Sequence, residues 1–366
     1  MKLIKTFPCL LAIIGMVHVG WAVGAKADDE VDCPDCEAPA QKVKKVKTGK
    51  RVPHVYPSFG KIESFDPAFA KLIPADAKIE KLAEGFKWSE GPVWSKKGGV
   101  LYFSDVPNNV VFQWKEGVGT REFLMPSGYS GSVARGGEPG SNGLTLDPQG
   151  HLVLCQHGDR QVARLESNGK QTPLARYWQY SRFNSPNDLV YKSNGDLYFT
   201  DPPYGLVGNI NDPAKEISFS GVYRLGKKGE VVLLTKELSF PNGIAFSPDE
   251  KTLYVAVSDP KNSVIMAYPV KADGMLGNSK LFFDAGPLAK TGPGLPDGLK
   301  VDKAGNLFAT GPGGVLVISP SGKHLGTINT GQPTANCGWG DDGSTLYITA
   351  NNILCRVKTT TRGLGF

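Results

Sequence analysis

Beyond its N-terminus the chain has no long segment with a sustained 3.6-residue apolar period, which argues for little helix. It has no G-x-S-x-G elbow, so a serine hydrolase reading is poor, and no HExxH pair, which weighs against a zincin. A P-loop is absent, as is a dinucleotide fingerprint in a strand–helix–strand setting. Histidine is scarce at 5 residues and cysteine at 6, so no cluster of soft ligands stands out. The formal charge is only +6, and Lys2, Lys5 and Lys26 supply half of it before the first acid, Asp28. The balance left after those residues is too weak to argue for a nucleic-acid partner.

Turn residues are abundant instead. The chain carries 45 Gly and 27 Pro, the punctuation of many short strands. The stretch from Arg182 to Gly205, RFNSPNDLVYKSNGDLYFTDPPYG, shows the unit. A polar corner leads into a short apolar run, a Gly turn reverses it, and a second run ends on a polar residue. The same pattern begins at Glu90, Ser141, Pro241, Pro296 and Ala335, which makes six copies. Marked at Glu90, Asn142, Asn187, Asn242, Asp297 and Asn336, the copies are 52, 45, 55, 55 and 39 residues apart. Four-stranded propeller blades need about 40–50 residues each, so the period predicts an all-β, six-bladed β-propeller with antiparallel blades.

The last copy offers only three strands before the chain ends. Lys78 to Phe86, KIEKLAEGF, alternates like a strand and is expected to supply the missing outer one, so that N- and C-terminal segments close the ring and remove its last open edge. Residues 1–27 read as a secretory signal: Lys2 and Lys5, an apolar run from Phe7 to Val23, then Ala25-Lys26-Ala27 before Asp28. A periplasmic or secreted protein with no membrane span after cleavage is expected. Residues 28–58 read as a Cys- and Lys-rich tail and linker, and 59–366 as the propeller, with 59–78 packed along its outside. Cys33 and Cys36 form a CPDC without the strand and helix of a redox motif; a small disulfide loop or a tail thiol pair fits better. Cys155, Cys337 and Cys355 lie in strand patterns and read as small buried hydrophobes, with a Cys337–Cys355 pair left open.

In a propeller the start of each innermost strand lies on one rim of the central channel. Here those starts offer Glu90, Asn142, Asn187 with Asp188, Asn242, Asp297 and Asn336. They are carboxylates and amides, hard oxygen donors that select Ca²⁺ or Mg²⁺. Asn-Gly and Asp-Gly are also ordinary turn residues, so any one corner alone means little. Their recurrence at one blade position carries the metal reading, and the Gly after most of them permits a close backbone approach.

EGPVW at Glu90, SPND at Asn187, PNG at Asn242 and PDG at Asp297, in order, resemble the gluconolactonase, senescence-marker protein and luciferin-regenerating enzyme family. SNGLTLDPQG with CQHGDRQVAR, and DPPYGL, look more like its bacterial gluconolactonase branch. The resemblance covers about residues 80–358. It implies a six-bladed propeller with one divalent cation at the channel mouth, usually Ca²⁺, with Mg²⁺, Mn²⁺ or Zn²⁺ open. It implies Glu90, Asn242 and Asp297 as ligands, Asn187 touching metal or substrate, and hydrolysis of sugar lactones. Asn336 is not counted as a ligand, because the sixth corner has no carboxylate.

For the chemistry, a cation can polarise the lactone carbonyl while a carboxylate takes a proton from water. Asp297 is the resemblance's candidate base; Asp201 and Asp188 are rivals, because a metal-bound carboxylate is a weakened base. His157 is a further acid–base candidate, against a surface histidine in a turn. Asn142, Asn187 and Tyr204 are candidate substrate contacts. Arg135 and Glu138, in the Gly-rich loop Pro126 to Gly143, either line the mouth or sit on a solvated loop. Two function classes stay open: an exported lactonase working as monomer or dimer, and a non-catalytic, Ca²⁺-stabilised propeller that binds a ligand or protein partner. A quinone-dependent sugar oxidase lacks the basic residues expected around its cofactor.

Overall fold

The computed structural model describes residues 55–366. The expected signal segment and most of the expected tail, including Cys9, Cys33 and Cys36, lie outside the described residues.

Six antiparallel sheets form a β-propeller, each running outward from the channel in chain order except where N-terminal strands are added to the outside of blades five and six. Blade one spans strands Ser89–Ser95, Val100–Asp105, Val110–Lys115 and Gly119–Leu124. Blade two runs from Ser141–Leu146 to Gln171–Ala175, blade three from Leu189–Tyr191 to Val231–Thr235, and blade four from Pro241–Phe246 to Lys280–Asp284. Blade five runs from Leu299–Val301 to His324–Asn329. Blade six contributes Thr334–Gly340, Thr345–Ala350 and Ile353–Lys358.

The expected closure is present. Ile79–Glu84 pairs antiparallel with Ile353–Lys358 as the fourth strand of blade six. Ser58–Phe59 adds a fifth strand outside it, and Lys61–Ser64 does the same for blade five. After Lys61–Ser64, Asp66 caps the short helix Pro67–Lys71, its carboxylate accepting from the Ala68 amide at 2.8 Å, and Phe69 is driven into the core. The linker ends earlier than its composition indicates. Tyr56 already packs against Trp114 and under the Arg356 guanidinium, and its hydroxyl donates to Glu116.

The hydrophobic core is divided among the blade interfaces. Among the described residues there are six buried clusters, each built from two adjacent blades. Trp114, Phe103 and Leu101 of blade one meet Tyr347 and Leu354 of blade six; Phe199 and Tyr223 of blade three meet Val153 and Cys155 of blade two. No blade buries both faces alone, which is why the repeat pattern had to be read as a ring. Cys155, Cys337 and Cys355 are buried and unpaired, so the thiols act as small hydrophobes and the Cys337–Cys355 bridge does not form.

Around the channel the blades are tied corner to corner. Ser104 at the end of the second strand of blade one donates to the Asn142 carbonyl at 2.9 Å. Thr200 reaches the Asn242 carbonyl at 2.7 Å, Ser258 the Pro296 carbonyl, and Thr310 the Ala335 carbonyl at 2.9 Å. The corner glycines make the approach possible. A Cβ on Gly243 would lie 2.1 Å from the Asp297 carbonyl oxygen, and one on Gly143 2.6 Å from that of Asn187.

Deleting residues 76–86 removes the fourth strand of blade six together with Ile79 and Leu82 of the core. The expected outcome is loss of the cooperative thermal transition by circular dichroism. A soluble deletion variant that still melts cooperatively would show that the ring closes without this strand.

Candidate functional site at the channel mouth

The corner motifs deliver their side chains to one place. Glu90, Asn142 and Asn242 are each the second residue of an innermost strand, and Asn187 and Asp297 each lie two residues before one. In blades one, two and four the ladder shifts register just after the corner, between Glu90 and Val93, Ser141 and Leu144, and Pro241 and Ile244. Such irregularities re-aim side chains at a sheet rim. All five residues line a single cavity of about 260 Å³ at the channel mouth. Trp88, Tyr204, Ser258, Leu295 and Thr334 complete much of its wall, with Glu138.

The polar atoms there are poorly satisfied. The side-chain oxygens of Asn142, Asn187 and Asn242 are buried and have no hydrogen-bond partner among the described residues. The Asn242 amide group donates to Ser258 Oγ at 3.0 Å, leaving its oxygen free as an acceptor. Glu90 Oε2 accepts from the Gly91 amide at 3.0 Å. Burial pushes the Glu90 and Asp297 carboxyls up, reinforced for Glu90 by the charge of Asp188 and for Asp297 by that of Glu90. Buried acceptors are normally paired. Three orphaned amide oxygens beside two mutually repelling carboxylates make a donor set that a hard cation would satisfy. Among the described residues no three Asp, Glu, His or Cys side chains converge closely enough to hold an ion by themselves, so the amides are essential to any such site.

The remaining candidates fall elsewhere. Tyr204 does line the cavity, its ring stacked on Phe240 and its hydroxyl donating to the Ser258 carbonyl at 3.2 Å. Asp201 does not. Its two carboxylate oxygens accept the amides of Asn184 and Ser185 at 2.9 and 2.8 Å, fixing the loop that presents Asn187. Asp105 holds the Lys87 and Trp88 amides in the same way in blade one. The aspartate at the strand end is therefore a clamp on the corner backbone, and FSD and FTD were its sequence signal. Asp188 is also off the cavity wall. Burial raises its carboxyl, one oxygen accepts the Leu189 amide at 2.8 Å, and Lys300 Nζ stands 4.0 Å from the other. Asn336, whose amide group is 3.4 Å from Asp188, lies beside it and off the cavity wall as well.

Arg135 is a strut rather than a wall residue. Its guanidinium donates to the carbonyls of Gly158, at 3.2 Å, and Gly205. His157 is not on the surface: it is fully buried behind the mouth, with Nδ1 3.3 Å from Glu138 Oε2. Of the two loop residues weighed from sequence, Glu138 is the one that lines the cavity.

Comparison with known proteins agrees with this geometry. The family model for the SMP-30/gluconolactonase/LRE-like region matches residues 88–352. The chain belongs to the SMP-30/gluconolactonase/LRE-like family. It is 41% identical over 318 residues to a gluconolactonase of Zymomonas mobilis, covering 84% of this chain and 88% of that one. Among solved structures it is similar to XC5397 of Xanthomonas campestris, described as a gluconolactonase, with a TM-score of 0.72 at 30% identity over 85% of this chain and all of that one. A calcium-binding regucalcin of Agrobacterium tumefaciens shares the fold, with a TM-score of 0.62 at 18% identity, covering 86% and 98%.

Burial raises the Asp201 carboxyl to about 7. Between the unfolded value near 4 and this folded value, the native state holds the extra proton, so this residue's contribution to stability is full at low pH and falls as pH rises through the window. Asp201→Asn removes the titration. The melting-temperature advantage of the native protein over the variant should shrink between about pH 4 and pH 7. A difference that grows over that range would refute the assignment.

Proposed function

We propose that this chain is an exported, divalent-cation-dependent lactonase that opens sugar lactones of the glucono-1,5-lactone type. Its family membership and its 41% identity to a gluconolactonase support lactone hydrolysis. The observation that carries the metal dependence is the set of unpartnered Asn oxygens and up-shifted carboxylates around one cavity. Glu90, Asn187, Asn242 and Asp297 would hold the cation, and Ca²⁺ suits their oxygen donors best. When bound, it supplies Lewis-acid polarisation of the ester carbonyl and stabilises the charge that develops on its oxygen.

The protein's own groups do the rest. Asp297, whose buried carboxylate is made more basic than usual by its surroundings, would take the proton of the attacking water when in its ionised form. Asn142, Tyr204 and Trp88 also line the cavity, so an amide donor for a substrate oxygen and aromatic surface for the apolar carbons of the sugar ring are at hand. Ring opening then converts the cyclic ester to an aldonate, with the alkoxide oxygen taking up the proton.

Purified protein should release acid from glucono-1,5-lactone. Chelation should lower the rate by about 10³-fold or more, and Ca²⁺ should restore it. Asp297→Ala should lose about 10²- to 10⁴-fold with an unchanged far-UV spectrum. Hydrolysis of neither aldonolactones nor simple lactones above the spontaneous rate would instead favour a ligand-binding propeller.

Export rests on the basic, apolar and Ala-Lys-Ala regions of residues 1–27. No helix among the described residues is long and apolar enough to cross a membrane. Expression in a Gram-negative host followed by N-terminal sequencing should recover a periplasmic chain beginning at Asp28. Recovery of the intact Met1 chain from the cytoplasm would overturn the proposal.

A further inference from the structure

The cavity has three carboxylates on its wall, and they are not equivalent. Glu90 and Asp297 stand at blade corners among the Asn oxygens. Glu138 comes from the loop between blades one and two, and its side chain keeps 35% of its surface exposed. The three do not form a group able to hold one ion; Glu138 is near enough for its charge to raise the carboxyls of both Glu90 and Asp297, but it alone comes from a loop and not from a blade corner.

The loop that carries it is fastened on all sides. Asn109 Oδ1 accepts the amides of Ser127, Gly128 and Tyr129 at 3.0, 2.7 and 3.1 Å, which holds its start. The Gly158 amide donates to the Pro139 carbonyl, and the Gly140 amide to that of Val106, which hold its end. The Arg135 strut holds its middle. Behind Glu138 stands His157, with no exposed surface and no hydrogen bond to either ring nitrogen among the described residues. Glu138 Oε2 is 3.3 Å from its Nδ1. The contact falls short of hydrogen-bond geometry, but it sets one carboxylate oxygen against a buried imidazole that has no other partner among the described residues, and the second oxygen is free to meet a ligand.

The geometry points to Glu138 as the residue that recognises the sugar hydroxyl groups of the lactone, with His157 as its positioning residue. An ionised carboxylate is acceptor-only and can take two hydroxyl donors side by side, an arrangement suited to a polyol and useless to an unsubstituted lactone ring. The cation donors act on the ester group that every lactone has. Glu138 then separates aldonolactones from simple lactones, because only a hydroxylated ligand satisfies it. The inference rests on the lactonase reading for its substrate but not for its test.

Two ligand pairs separate the two questions. Glucono-1,5-lactone and δ-valerolactone share the ester and differ in the hydroxyls; gluconolactam and δ-valerolactam are their hydrolysis-resistant counterparts. Glu138→Ala should raise KM for gluconolactone, lowering kcat/KM by about 10- to 100-fold, and weaken calorimetric binding of gluconolactam equally. The same variant should change turnover of δ-valerolactone and binding of its lactam by less than about threefold, since no hydroxyl contact is lost. His157→Leu should reproduce the rise in KM, and His157→Asn, which keeps a donor, should largely reverse it. Glu138 is half-exposed on a loop, so its variant tests the inference even if the buried His157→Leu fails to fold. Equal losses on both lactones would place Glu138 in the ester chemistry and overturn the inference. So would no change on gluconolactone, or wild-type protein that does not bind gluconolactam. If wild-type protein binds the lactam but hydrolyses neither lactone, the lactonase reading fails and the binding comparison still decides the role of Glu138.

Discussion

The structure depends on one contact made again and again: a hydroxyl near the end of a blade's second strand donating to the backbone of the next blade's corner. Ser104, Thr200, Ser258 and Thr310 each make it. A neutral hydroxyl bonded in a dry interior satisfies a carbonyl that would otherwise be stranded beside the channel. It also sets the distance between adjacent innermost strands. The glycines at Gly91, Gly143, Gly243 and Gly298 belong to the same device, because a side chain on any of them would strike the neighbouring corner. The corners can converge on a common cavity because their backbones are locked together first.

This ordering explains how the site tolerates its own electrostatics. Glu90, Asp188 and Asp297 repel one another inside a low-dielectric channel, and the Lys300 ammonium approaches Asp188 alone. Such a cluster is unfavourable unless a charge of opposite sign joins it. The strain is held by the blade-to-blade ties, of which Ser258 also reaches the cavity wall, and by the strand-end clamps at Asp105 and Asp201, which do not. Scaffold and donor set are thus divided between side chains that face the next blade and side chains that face the axis.

The fold was legible because its repeat is written in turn chemistry. Six corners at blade spacing determine the architecture, and the strand missing from the last repeat identifies where the N-terminal strand must go. The corner residues that line the cavity were legible for the same reason: each sits at a fixed place in the repeat. What escaped the sequence belongs to no repeat. The aspartate ending a strand gives the same signal whether it points at a ligand or at a backbone amide, and only the fold shows that Asp201 does the latter. Arg135 and Glu138 lie three residues apart in a loop without period, so nothing in their spacing tells the strut from the wall. His157 follows a strand and precedes Gly158 in a turn-like string, yet the Gly-rich loop folds over it and removes it from solvent. Burial by a distant loop is not encoded locally.

The N-terminal strand of blade six has a consequence for how the molecule comes into being. Glu80, on that strand, accepts from Arg356 Nε at 2.7 Å across 276 residues of sequence. Ile79–Glu84 is synthesised before any complete blade, but its partner leaves the ribosome almost last. Until then the nascent chain carries a sticky, unmated strand, and five blades with no clasp. Contacts of such long range are slow to form and leave edges open to wrong partners in the meantime. The ring is therefore a structure that commits late: Ile79–Glu84 waits for a partner made after the other five blades, and a chain interrupted before Ile353 lacks the strand with which it pairs.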